Sequence, residues 1–280
     1  MYLQLKTAKL FFDLASSGLA AADDSVTEKP TLLMLHGGPG ADQMSLRPHF
    51  DRFGDAYQVL YIDHRGCGRS NGAQETLNLE QWAQDVADLL AALGIEKPMV
   101  FGQSFGGMVA MRFAARFPDK VSKLILSSTA ARFRLDATLA KFQELGGDKP
   151  ADVARRFFND PSVDGYKEYE KVCLPLYTGA ASGRSFASRS IQRPEVTVHF
   201  FRNEMMEMDL RPDLAGVSCP TLILAGARDP VTPVKCSEEI EEAMGPNAQL
   251  YVFEGCGHGV HRDKPEESER LMRDFLAGSL

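Results

Sequence analysis

The chain has 280 residues, with 31 Lys and Arg against 38 Asp and Glu, a formal charge of −7 and 44% hydrophobic residues. That composition is globular and excludes disordered, collagenous and disulfide-dense classes. An acidic balance without a basic run leaves no surface for a phosphate backbone, and no stretch approaches the ~20 apolar residues of a membrane span, so neither nucleic acid nor membrane is an expected partner.

Lys9 to Ala15 reads as a first strand. Asp13 interrupts the apolar run Leu10 to Phe12, which argues against a secretory leader ending at the small residues Ala20 to Ala22. Thr31 to Leu35 and Gln58 to Ile62 are short apolar runs with the length of buried strands. Asn78 is an N-cap for a helix carrying Leu79, Trp82, Val86, Leu89, Leu90 and Leu93 at helical spacing, stopped by Gly94. Pro98 to Phe101 is the next strand, Phe105 to Phe117 the helix after it, and Leu124 to Leu126 a further strand. The same rhythm resumes with Pro220 to Ala225, a helix from Val234 to Met244, Gln249 to Phe253, and a last helix from Lys264 to Leu276 with Asp263 as its N-cap.

Alternation of strand and helix indicates an α/β fold with a mostly parallel central sheet covered by helices on both faces. Residues 131–211 break the rhythm; they are rich in Phe and Tyr and carry no strand followed by a helix. They are expected to form a helical cap, with residues 1–130 and 212–280 as the core. Cys67, Cys173, Cys219, Cys236 and Cys256 are odd in number and lack a C-x-x-C pair, which fits free thiols and a cytoplasmic location.

Gly102-Gln103-Ser104-Phe105-Gly106 lies between a strand and a helix, the setting in which G-x-S-x-G lifts a serine hydroxyl above the sheet edge on a strained turn. A serine needs a base and an orienting acid. Of six histidines, His258 sits in the loop Gly255-Cys256-Gly257-His258-Gly259 just beyond the last strand, while His261 is expected to cap a helix or face solvent. Asp229 leaves the end of the preceding core strand, and the chain order Ser104, Asp229, His258 is that of α/β-hydrolases. The backbone N–H groups of Gly38, in His36-Gly37-Gly38-Pro39-Gly40, and of Phe105 are the expected oxyanion donors; losing one such donor costs ~3 kcal/mol of barrier. Asp63 and Arg65 are expected to fix the loop Asp63 to Ser70 through buried hydrogen bonds, and Cys67 and Cys256 are redundant as nucleophiles beside Ser104. No His, Cys and Asp cluster has metal-ligand spacing, and the chemistry requires no cofactor.

Taken together, H-G-G-P-G at 36–40, Asp63-His64-Arg65-Gly66-Cys67-Gly68-Arg69-Ser70, G-Q-S-F-G-G at 102–107 and Gly257-His258-Gly259 resemble the proline iminopeptidase branch of the α/β-hydrolase superfamily along nearly the whole chain. Two positions depart from that pattern: His64 stands where the family usually has Gln, and Phe105 where it often has Trp. The resemblance implies a serine aminopeptidase that releases N-terminal proline or a small apolar residue from a short peptide. It also implies cap glutamates that hold the substrate's free amine. Glu204 and Glu207, three apart, are the candidates, and the alternative for them is a solvated helix face pairing with Arg202 or Arg211. The alternative activity is a carboxylesterase or lactonase on small acyl substrates.

Overall fold

A computed structural model describes residues 1–179 and 189–280. In chain order the elements are strands β1 (Tyr2–Gln4) and β2 (Lys9–Leu14), β3 (Leu19–Ala22) and β4 (Ser25–Glu28), then β5 (Thr31–Leu35), β6 (Gln58–Ile62), helix α1 (Leu79–Ala92), β7 (Met99–Gln103), α2 (Phe105–Arg116) and β8 (Lys123–Ser127). Helices α3 (Leu135–Gly146), α4 (Asp148–Asn159), α5 (Val163–Val172), α6 (Pro194–Phe200) and α7 (Arg211–Leu214) follow. The chain closes with β9 (Thr221–Gly226), α8 (Val234–Met244), β10 (Ala248–Phe253), α9 (Val260–Asp263) and α10 (Pro265–Ala277).

Eight strands form one sheet in the order β1-β2-β6-β5-β7-β8-β9-β10. Every pair from β6 to β10 is parallel, and β1 and β2 add an antiparallel edge. The apolar runs that identified β5 and β6 are buried on both faces because successive side chains point to opposite sides. Leu33, Leu35, Leu60 and Ile62 join the core beneath α1 and α2, whereas Leu32, Met34, Val59 and Tyr61 join a second core with Phe275 and Leu276 of α10. Each fully buried Leu stabilises the sheet by about 2 kcal/mol.

One element was not expected, and one local expectation is corrected. Ala20 to Ala22 form β3, paired with β4 in a two-stranded hairpin whose side chains are nearly all exposed. Asp263 does not cap the last helix. That helix starts at Pro265 after Lys264, using proline's preset φ, and the Asp263 carboxylate instead accepts from the N–H groups of Gly257 (2.7 Å) and Gly179 (2.8 Å).

The carboxyl ends of β5, β7, β9 and β10 lead into the loops that carry His36 to Gly40, Ser104, Asp229 and His258. Helices α3 to α7 all lie between β8 and β9 in the chain, and residues of α5, α6 and the turn after α6 reach over those loops.

Candidate active site

Ser104 is the single residue between β7 and α2, with φ 53° and ψ −121°. A non-glycine backbone held there costs roughly 1–3 kcal/mol and survives only where its surroundings impose it. Here the Ser104 N–H donates to Ser127 O (3.0 Å), while its carbonyl accepts from the Gly107 N–H (2.8 Å) and the Thr129 hydroxyl (2.7 Å). The flanking glycines are required by contact. A Cβ on Gly102 would sit 2.5 Å from the Gly106 carbonyl oxygen, and one on Gly106 would overlap the Leu35 carbonyl of β5.

Asp229 and His258 come together from neighbouring strand ends. The loop after β10 can approach β9 only because Gly226 has no side chain; a Cβ there would overlap the carbonyls of Cys256 and Gly257. Asp229 is fully buried. Its Oδ1 accepts from the N–H groups of Val231 and Thr232 (2.9 Å each), and its Oδ2 from the Thr232 hydroxyl (2.8 Å) and from His258 Nδ1 (2.8 Å). The His258 ring is thereby set with Nδ1 protonated and Nε2 on the far side, where His258 and Ser104 line the same cavity.

Two residues that the sequence did not single out hold His258. Its N–H donates to the Tyr177 carbonyl (2.6 Å), with the Tyr177 ring edge-on to the imidazole at 5.1 Å. The Arg262 guanidinium donates to the His258 carbonyl and fills the space where a side chain on Gly259 would be. Tyr177 ends a single 3₁₀ turn, Leu174–Tyr177, after α5, too short for any periodicity to point to it.

The 36–40 loop lies against the serine: a Cβ on Gly37 would be 3.3 Å from Ser104 Cβ. His36 is buried, and burial holds its pKa below the usual imidazole value, so it is neutral. Its Nδ1 donates to Gly37 O (2.7 Å) and its Nε2 accepts the His64 N–H (3.2 Å). Gly37 O belongs to the peptide unit whose nitrogen is Gly38 N, so His36 fixes the direction of that N–H. Gly38 and Phe105 both line the cavity, and the Phe105 N–H is among those an α-helix leaves without an intrahelical partner. His64, the departure from the family pattern, is buried against the Phe105 ring at 5.3 Å, and burial pushes its pKa well below 6.5.

The cavity encloses about 110 Å³. Apolar walls come from Met108, Leu174, Phe200, Phe201, Met205 and Val231, and among the described residues the acidic side chain on the wall is Glu170 of α5. Glu204 and Glu207 do not line it, which corrects the expectation for both. Glu204 lies in a wide turn, Phe201–Met205, and its Oε2 accepts the Leu79 N–H at the start of α1 (3.0 Å). Glu207 is exposed beyond that turn. Glu170 is half-buried; desolvation raises its carboxyl pKa, opposed by the neighbouring Tyr166 hydroxyl.

The Asp63 to Ser70 loop is structural. Arg65 is buried and pairs with Asp85 through two hydrogen bonds of 2.7 and 2.6 Å, and Asp63 accepts from Gln43 and from the Arg69 N–H. Cys67 and Cys256 are buried outside the cavity lining, with burial pushing their thiols up to about 12 and about 11. His261 neither caps a helix nor faces solvent. It is buried 5.5 Å from His49 and 5.2 Å from Phe50, and neither of its ring nitrogens has a hydrogen-bond partner among the described residues.

The relatives agree with this architecture. The chain is 26% identical to a proline iminopeptidase of Pestalotiopsis fici over 278 residues, covering 95% of this chain and 98% of that protein. It is 31% identical to a 2-hydroxy-6-oxo-6-phenylhexa-2,4-dienoate hydrolase of Comamonas testosteroni over 263 residues, covering 89% and 88%. Among solved structures, a proline iminopeptidase-related protein of Thermus thermophilus superposes with a TM-score of 0.77 at 25% identity, covering 99% of this chain and 96% of that one. The family model described as alpha/beta hydrolase fold matches residues 30–265. With that match spanning most of the chain, the protein belongs to the α/β-hydrolase family and is a hydrolase.

Proposed function

We propose that the protein is a serine hydrolase working through an acyl-serine, and that it releases a small N-terminal residue, proline foremost, from short peptides. Ser104 Oγ attacks the scissile carbonyl while His258 Nε2 takes its proton. The carbonyl oxygen becomes an oxyanion between the N–H groups of Gly38 and Phe105. On collapse the C–N bond breaks, and His258 returns the proton to the departing amine. A water molecule, deprotonated by the same nitrogen, then releases the acid and restores Ser104. Asp229 holds the imidazole in the needed tautomer and stabilises its cation.

The observation that carries the specificity is Glu170 on the cavity wall. Its raised pKa means that desolvation disfavours the carboxylate. An ammonium group beside it would offset that cost, and its own burial without a partner would be unfavourable by several kcal/mol. The cavity is smaller than the ~150 Å³ void that holds benzene in a protein core, so it suits a small acyl residue.

A second reading, an esterase or lactonase on uncharged acyl groups, is favoured by the apolar wall. Turnover of proline anilide, alanine anilide, short nitrophenyl esters and an acyl lactone, measured side by side, separates the two. Anilide turnover is expected; esters or lactones turned over without any anilide would put the second reading first. Ser104→Ala should abolish turnover and labelling by a fluorophosphonate, and labelling of the parent at any other serine would remove the nucleophile assignment.

A further inference from the structure

The loop that carries Gly38 is held from two sides. On the core side His36 holds Gly37 O. On the other side stands the segment leading into α6. The Ser190 hydroxyl and the Ile191 N–H donate to the Asp42 carboxylate (2.7 and 3.0 Å), the Arg193 N–H donates to Gly40 O (2.7 Å), and the Thr197 hydroxyl donates to Pro39 O (2.6 Å). The fit is close: a Cβ on Gly40 would lie 2.5 Å from Arg193 O and 2.6 Å from Thr197 Oγ1. Thr197 is 4% exposed and lines the cavity beside Tyr166, which in turn adjoins Glu170. Of these contacts, the Thr197 hydroxyl alone joins a side chain on the cavity wall to the carbonyl next to Gly38.

We infer that Thr197 is a positioning residue for the oxyanion hole, supplied by the helical insertion: its bond to Pro39 O keeps the Gly38 N–H aimed at the space above Ser104. The inference rests on the acyl-serine reading above. Pro39 is buried, and its carbonyl accepts from Thr197 of α6, its partner among the described residues; without the hydroxyl the loop relaxes toward other donors and takes Gly38 with it. Because an oxyanion donor acts on the transition state and barely on the bound substrate, the loss falls on kcat. Removing such a donor outright costs about 10²–10³-fold; loosening it should cost less.

The test uses the full chain with nitrophenyl acetate, active sites being counted by fluorophosphonate titration. Thr197→Val, which keeps the shape and deletes the hydroxyl, should lower kcat about tenfold to a hundredfold with KM within about twofold. Thr197→Ser should restore kcat to within about threefold of the parent, and a boronic acid that forms a tetrahedral Ser104 adduct should bind Thr197→Val more weakly by the same factor as kcat. Thr197→Ala serves if the valine variant does not fold, with the same expectation. A kcat within about twofold of the parent, a loss confined to KM, or a serine variant as impaired as the valine one would overturn the inference. A parent that takes no fluorophosphonate at Ser104 would overturn the nucleophile assignment instead, whereas a parent labelled there but matched by Thr197→Val would overturn the role of Thr197 alone.

Discussion

Asp229 Oδ2 lies 2.8 Å from His258 Nδ1, and Asp229 has no exposed surface. Further hydrogen bonds to this carboxylate come from Val231 and Thr232, so its orientation is fixed before the histidine arrives. Asp229→Asn would place an amide donor or a weaker acceptor at the imidazole and favour the wrong tautomer. The expected result is a folded protein whose kcat has fallen by ~10⁴, the cost of the equivalent change in the serine-protease case. Circular dichroism and single-turnover kinetics check it; near-parental turnover would mean that the acid comes from elsewhere.

Glu170, on the cavity wall, is the carboxylate proposed to read the ligand, and Glu204 serves as its structural control. Glu170→Gln should raise KM for proline anilide at least tenfold, by about 1.4 kcal/mol or more, and leave an uncharged ester almost unaffected. Glu204→Ala should treat both substrates alike and weaken folding by ~1 kcal/mol, since it removes the carboxylate that accepts from the first turn of α1 as an N-cap would. Equal losses on both substrates in Glu170→Gln would remove it from amine recognition.

The His49 and His261 pair makes acid stability predictable in sign. Burial lowers the His49 pKa to about 4, and that of His261 well below 6.5, with the charges of Arg52 and Arg262 adding to the effect. Glu266 and Glu269 oppose it at His49. Since the unfolded chain protonates both near 6.5, it binds more protons than the native state between about pH 4 and 6.5, and stability falls as pH drops through that window. For His49 the loss over that window is on the order of 3 kcal/mol. Urea midpoints at pH 7.5 and 5.0 should differ less in His49→Phe than in the parent, and equal differences would show that other groups carry the acid limb.

Arg65 and Asp85 are both buried, so truncating one strands the other. Asp85→Ala leaves the guanidinium, among the described residues, with Thr7 and Thr76, and should cost about 3–5 kcal/mol, seen as a lower denaturation midpoint with an unchanged m-value. A change below about 1 kcal/mol would mean that solvent reaches Arg65.

The sheet and the elbow were legible in the sequence because their determinants are local. Continuous apolar runs such as Thr31 to Leu35 can only be buried strands at that length, and Gly102 and Gly106 are required by contacts that follow from a serine between a strand and a helix. The same holds for Asp229 and His258, each placed by the end of its own strand. The β3 and β4 hairpin left no trace because its exposed side chains need no alternation. Only the tertiary structure decided which glutamate meets the cavity. Glu170, Glu204 and Glu207 have the same chemistry, and their fates depend on how α5 and the turn after α6 fold over the sheet. Tyr177 on His258 and Thr197 on Pro39 were equally invisible, since each bond joins segments more than seventy residues apart, set by packing and by no spacing along the chain.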